Sequence, residues 1–258
     1  MRYCEFSILF ESYDEDQAII KIANIAAKFL ANEIIKSQTK KKYPLKDIPQ
    51  IENSKFPKVV QDLIDQAKIS LVQKIKRSKE IQGTVDFNDY HIKLKIPRFG
   101  KDELKLNSET NRLYYPELEI RLRRVLVHEL AHVLDTLKSP YHLKDPSKPY
   151  LQDPIEIGAR IRQGMDLISF KIDEMVKSNQ SMNDQELFKE LKQRLPTLIK
   201  EIVISHRLYN PHFYNKRQRR VYKKKYQHVK SRLYAHAVKY LEQKTKEQFK
   251  NGVDFENL

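Results

Sequence analysis

The sequence predicts an α+β fold, mostly helical, with a small mixed sheet packed on the helix that carries His128 and His132, and a long basic helix at the C-terminus. Three observations predict it. Apolar residues recur at three- and four-residue steps over most of the chain, the period of amphipathic helices. Period-two alternation is confined to short runs near the N-terminus and around residues 84–96. Only five glycines are present, and no Gly-rich loop precedes a helix, which argues against a P-loop or a dinucleotide fold.

Residues 2 to 11 alternate, with Cys4, Phe6, Ile8 and Phe10 on one face, and read as a strand. From about Glu15 to Lys36 a helix is expected, with Ile19, Ile22, Ala23, Ala26, Phe29 and Leu30 as its stripe. Lys40 to Lys55 is charged and proline-containing and reads as a loop. A second helix is expected over about Pro57–Lys79. Thr84–Phe87 and Tyr90–Ile96 form a hairpin across Asn88-Asp89. In its second strand Tyr90, Ile92, Leu94 and Ile96 alternate with His91, Lys93 and Lys95. That strand reads as a sheet edge: a solvated edge whose lysines oppose aggregation, or one to which an extended substrate adds.

Pro116 can open the next helix and Ser139-Pro140 can end it. Leu122, Leu126, Leu130, Val133 and Leu137 give it a core-facing stripe, so leucine and valine fill the core. His128, His132 and Asp135 lie on a different face. Asp153 and Pro154 start a further helix, striped by Ile157, Ile161, Met165, Ile168, Ile172 and Met175. Asn183-Asp-Gln-Glu186 reads as a capping box before a helix that runs to about Ser205 and bends near Pro196. From Lys216 to Phe249 a long helix carries Tyr222, Tyr226, Val229, Leu233, Ala237 and Tyr240 on one face. His206, His212, His228 and His236 lack tight ligand spacing and read as surface residues.

The chain has 258 residues, enough for a substantial core, and 40% of it is hydrophobic, so it is globular rather than disordered. No apolar run is long enough to span a membrane, and no partner in a membrane is expected. Acidic residues come early, so a secretory signal is not expected. Cys4 is the single cysteine, which fits a reducing, cytoplasmic location and leaves a metal site to histidine and carboxylate. The formal net charge is +15. Between Arg207 and Lys250, fourteen lysines and arginines face only Glu242 and Glu247, so twelve of those charges lie there. The expected organisation is therefore a domain over 1–206 and a basic helical extension over 207–258.

His128-Glu129-Leu130-Ala131-His132 is the pattern that carries chemistry. Histidines four apart share one helical face, so both imidazoles can reach one metal ion. The intervening glutamate is then placed as a general base toward the water on that metal. A hydrolytic zinc site needs a third protein ligand and one open position. Glu156 is the first candidate. Asp-x-x-Glu before an apolar helix is also a capping box, in which the glutamate returns to its own helix's N-cap amide. His142, Asp145 and Asp153 are the other candidate ligands.

With these residues the chain resembles gluzincin-type zinc metallopeptidases. In particular it is similar to small zincin-like proteins often encoded by bacteriophages, where a HELAH-type helix is followed by a Y…P-x-E-x-x-A-R helix. The likeness covers roughly residues 81 to 177 and is specific at His128, Glu129, His132, Glu156, Ala159 and Arg160. The metzincin branch is excluded, because Lys138 stands where its third histidine would be. The resemblance implies a bound Zn2+ held by His128, His132 and Glu156, with Glu129 as the base and a protein or peptide as substrate. Tyr150, His142 and Arg160 are candidate donors to the developing oxyanion. Larger gluzincins commonly carry an aspartate four residues after the ligand glutamate; Arg160 stands there, so the surroundings of the histidines must be built differently. Asp135 is a candidate acceptor for a ligand imidazole, or an exposed helix aspartate.

A reading of another class is a structural or nucleic-acid-associated protein, such as a virion component in a larger assembly, with this fold as scaffold. Basic residues at 217–225 interleaved with Tyr214, Tyr222 and Tyr226 suit nucleic acid or an acidic protein partner. The same residues also suit a solvated or assembly helix.

Overall fold

The computed structural model describes residues 13–36, 42–73, 80–97, 105–107, 112–114, 117–138, 154–179, 182–205, 227 and 229–245. The expected strand at 2–11, Pro116, His142, Asp145, Tyr150, Asp153 and the basic cluster at 216–225 lie outside the described residues. The chain divides into two compact units, Met1–Arg162 and Gln163–Leu258.

The first unit is built on two helices, α1 (Tyr13–Ile35) and α3 (Leu118–Lys138), packed along each other. Asp14, Glu15 and Asp16 occupy the first turn of α1, where carboxylates complement the positive end of the helix dipole. Ile19, Ile22, Ala23, Ala26 and Leu30 are fully buried, as their spacing predicts. The alanines in that stripe let the two backbones approach. On α3, Leu122, Leu126, Leu130 and Val133 are fully buried, and Leu137 is half-buried against the same core.

Helix α2 (Lys58–Gln66) is shorter than the expected Pro57–Lys79. It stops at Ala67, whose backbone is already extended at φ −77 and ψ 144, and the chain continues as strand β2 (Lys68–Gln73). The physical reason is a change of period: Ile69 and Leu71, two apart, are both buried in the core, and Val72 next to Leu71 is exposed. The expected loop at 40–55 also contains structure, a short strand β1 (Lys42–Pro44) and two single 3-10 turns at Leu45–Asp47 and Asn53–Lys55.

The hairpin is present as β3 (Gln82–Asp86) and β4 (His91–Ile96), with Asp86 opposite His91. The four strands form one mixed sheet in the order β1-β2-β4-β3. β2 and β4 run parallel, and β1 and β3 pair antiparallel on the outside. The lysine-bearing strand β4 is therefore central, which corrects its reading as an edge. Both of its hydrogen-bonding sides are taken, and Lys93 and Lys95 are exposed on one face while Ile92, Leu94 and Ile96 are buried on the other. The edge beside α3 is β3. A second, two-stranded antiparallel sheet joins β5 (Lys105–Asn107) and β6 (Arg112–Tyr114).

Helix α4 (Pro154–Ser178) crosses the boundary between the units. The boundary between the two compact units falls at 162/163, within this helix. The later turns of α4 are covered by the C-terminal helix α6 (229–245), so they belong with it. Ser169 and Asp173, one turn apart on α4, meet His236 and Tyr240, one turn apart on α6. His236 Nε2 is 3.0 Å from Ser169 Oγ, and the Tyr240 hydroxyl donates to Asp173 at 3.0 Å. Helix α5 (Asp184–Ser205) begins as predicted, with Asn183 Oδ1 accepting from the Glu186 amide, and continues through Pro196. Among the described residues, no helix is long and apolar enough to cross a membrane.

His236 is buried rather than on the surface, which corrects the sequence reading. It falls three residues after Leu233 on the apolar stripe, and Ser169 supplies a partner for its ring. Burial pushes its pKa down to about 4, against a backbone hydrogen bond to Met165 that opposes the shift. The unfolded chain takes up this proton below the usual imidazole range near 6.5, and the folded one only near 4. Stability from this group is therefore complete above about pH 6.5 and declines as pH falls toward 4, by on the order of 3 kcal/mol. Urea unfolding followed by circular dichroism should show that loss between pH 7 and 4 in the parent and not in His236→Gln. Equal losses in both proteins would rule the histidine out as the source.

Candidate metal centre

His128 and His132 sit one turn apart on α3, and Glu156 sits in the first turn of α4. All three are buried, at 8%, 6% and 4% exposure. The Nε2 atoms of the two rings are 3.1 Å apart, with the rings nearly perpendicular at 83°. Glu156 Oε2 lies 3.3 Å from His128 Nε2 and 3.5 Å from His132 Nε2. The Glu156 carboxylate thus faces the imidazoles, while Asp153, its partner in the alternative capping box, lies outside the described residues. Ala159, three residues after Glu156, is fully buried.

Three donor atoms this close set a test for what joins them. A tetrahedral ion with bonds of about 2.0–2.2 Å holds its donors about 3.3–3.6 Å apart, and the observed separations are 3.1 to 3.5 Å. Protons satisfy the triangle less well. Each neutral imidazole carries one N–H, and a carboxylate oxygen only accepts. If both Nε2 atoms donate to Glu156, the two donors face each other. If only one is protonated, its hydrogen lies along one side of the triangle and the other two sides have none. A cation is attracted to all three lone pairs at once. The His128, His132 and Glu156 group could therefore hold a metal ion, and it is the one such cluster among the described residues.

Glu129 is adjacent in sequence and buried at 7% exposure, but it is not one of the three clustered donors. Its side chain lies flat against Gly83 on the edge strand β3. A Cβ built on Gly83 would stand 2.5 Å from Glu129 Cγ and Oε1 and 2.7 Å from Cδ. Sequence reasoning passed over Gly83, although a lone glycine inside a strand marks a close approach by another group.

Asp135 is neither exposed nor the simple imidazole partner considered from the sequence. It is buried at 6% exposure and accepts from Arg162 Nη1 at 3.2 and 3.3 Å. Arg162 also donates from Nε to Asp16 Oδ1 at 2.8 Å. Lys138 pairs with Glu15 at the far end of α3. Arg160 is half-buried on α4, whereas Tyr150 and His142, the other candidate oxyanion donors, lie outside the described residues. Of the basic segment, α6 carries Lys230, Arg232, Lys239 and Lys244 against Glu242. Comparison with protein-family models, with curated proteins and with solved structures finds no match to this chain.

Proposed function

We propose that the chain is a zinc-dependent metallopeptidase. The observation that carries this reading is the buried convergence of His128 Nε2, His132 Nε2 and Glu156 Oε2, with the buried Glu129 next to His128 in sequence. Two imidazoles and one carboxylate, without a thiolate, are a donor set suited to zinc, and three protein donors leave a position for chemistry. A bound zinc ion supplies Lewis acidity and brings the pKa of a coordinated water down to about 7.

The chain's own residues do the rest. His128, His132 and Glu156 would hold the ion. Glu129 accepts the proton from the attacking water as the new C–O bond forms at the peptide carbonyl. It then delivers that proton to the amine nitrogen as the C–N bond breaks. Tyr150 is the proposed donor to the oxyanion. The edge strand β3 passes over Glu129, so a peptide in extended form, hydrogen-bonded along that edge, would bring its backbone to the base.

The test is metal content together with turnover. The purified protein should carry one zinc per chain by elemental analysis and cleave a mixed peptide substrate. A chelator should abolish cleavage, and added zinc should restore it. Cleavage that persists in metal-free protein would overturn the proposal. So would full zinc occupancy without hydrolysis across a broad peptide library, which would leave a metal-bearing scaffold.

A further inference from the structure

We propose that the buried Asp16–Arg162–Asp135 network positions the third metal donor, so that Arg162 acts on the centre through Glu156 without touching it. The inference rests on the metal reading of His128, His132 and Glu156. Its three members come from three helices of the first unit: Asp16 from α1, Asp135 from α3 and Arg162 from α4. Arg162 and Asp16 are only 3% and 2% exposed. The guanidinium turns Nε to Asp16 at 2.8 Å and Nη1 to both oxygens of Asp135, at 3.2 and 3.3 Å.

The placement of this network is what ties it to the centre. Asp135 follows His132 by less than one turn of α3, and Arg162 follows Glu156 by less than two turns of α4. Gly158, between Glu156 and Arg162, also faces the network, and a Cβ there would meet Asp135 Oδ2 at 3.6 Å. The backbone of α4 therefore passes close to α3 at Asp135. Apolar packing alone fixes the distance between two helices but tolerates sliding and rotation. A planar guanidinium held by carboxylates on two different helices fixes direction as well. Rotation of α4 about its axis would carry the Glu156 carboxylate away from the imidazoles.

The experiment compares Arg162→Lys, Asp16→Asn and Glu156→Ala with the parent. Arg162→Lys keeps the charge and removes the fork. Zinc affinity is measured by competition with a chromophoric chelator, the environment of the ion by the visible spectrum of the cobalt-loaded protein, and folding by the melting temperature of the metal-free form. Arg162→Lys is expected to weaken zinc binding by about 10- to 100-fold and to shift the cobalt spectrum toward that of Glu156→Ala. Asp16→Asn, in which the amide oxygen still accepts from Nε, gives a smaller change of the same kind and is read alone should Arg162→Lys fail to fold. A lower melting temperature with parental zinc affinity and a parental cobalt spectrum would overturn the proposal and make the network a packing element only. If Glu156→Ala weakens zinc binding while the network variants do not, the centre stands and the positioning role falls. If the parent binds no zinc, both fall.

Discussion

Glu129→Gln is expected to leave zinc binding intact and to lower kcat by about 10²- to 10⁴-fold. Glutamine has the same length and nearly the same shape, so it can lie against Gly83 as the glutamate does. The three clustered donors are His128, His132 and Glu156, and none of them is altered by the change. What disappears is basicity: an amide neither takes a proton from water nor returns one to an amine. The loss should therefore fall on kcat and kcat/KM alike, with KM little changed, because the missing interaction belongs to the transition state. Elemental analysis of the variant, set beside its turnover, separates this outcome from damage to the site. A variant that cleaves like the parent would remove Glu129 from the role of base. A variant that has lost its zinc would mean that Glu129 helps to hold the ion.

What could be read in the sequence is whatever depends on local period and spacing. The α3 helix followed from leucines at three- and four-residue steps, and the pairing of His128 with His132 followed from the pitch of that helix. Glu156 was legible as a candidate, because a capping glutamate and a ligand glutamate occupy the same place in the pattern. That its carboxylate reaches the two imidazoles follows only from the tertiary position of its helix. β2 was lost because no glycine or proline between α2 and Gln73 marks the change from helix to strand. The strand exists through parallel pairing with β4, which no local pattern reports. The misassigned edge has the same origin: lysines on one face of β4 mark solvent above the sheet, not a missing neighbour beside it. The network of Asp16, Arg162 and Asp135 spans 146 residues between its first two members, and nothing local announces such a pairing.

Gly83→Ala is expected to lower kcat by about 10²-fold while zinc affinity stays at the parental value, because a misplacement of about 1 Å in a reacting group costs that much. The argument is steric. No glycine among the described residues has a positive φ, so alanine meets no backbone strain at this position. β3 should keep its pairing with β4, which uses backbone groups alone. The added methyl, however, would stand 2.5 Å from Cγ and Oε1 of Glu129 and 2.7 Å from Cδ. Carbon atoms in contact need about 3.5–4.0 Å, so the glutamate must move by about 1 Å or more. The three atoms nearest that methyl all belong to Glu129, so the clash falls first on the proposed base and not on His128, His132 or Glu156. The decisive measurement is the double variant Gly83→Ala, Glu129→Gln. If alanine acts by displacing the base, it has nothing left to displace once the base is an amide, and turnover should match that of Glu129→Gln alone. If alanine lowers turnover by the same factor in both backgrounds, Gly83 acts on something other than Glu129, and the substrate edge of β3 becomes the place to look.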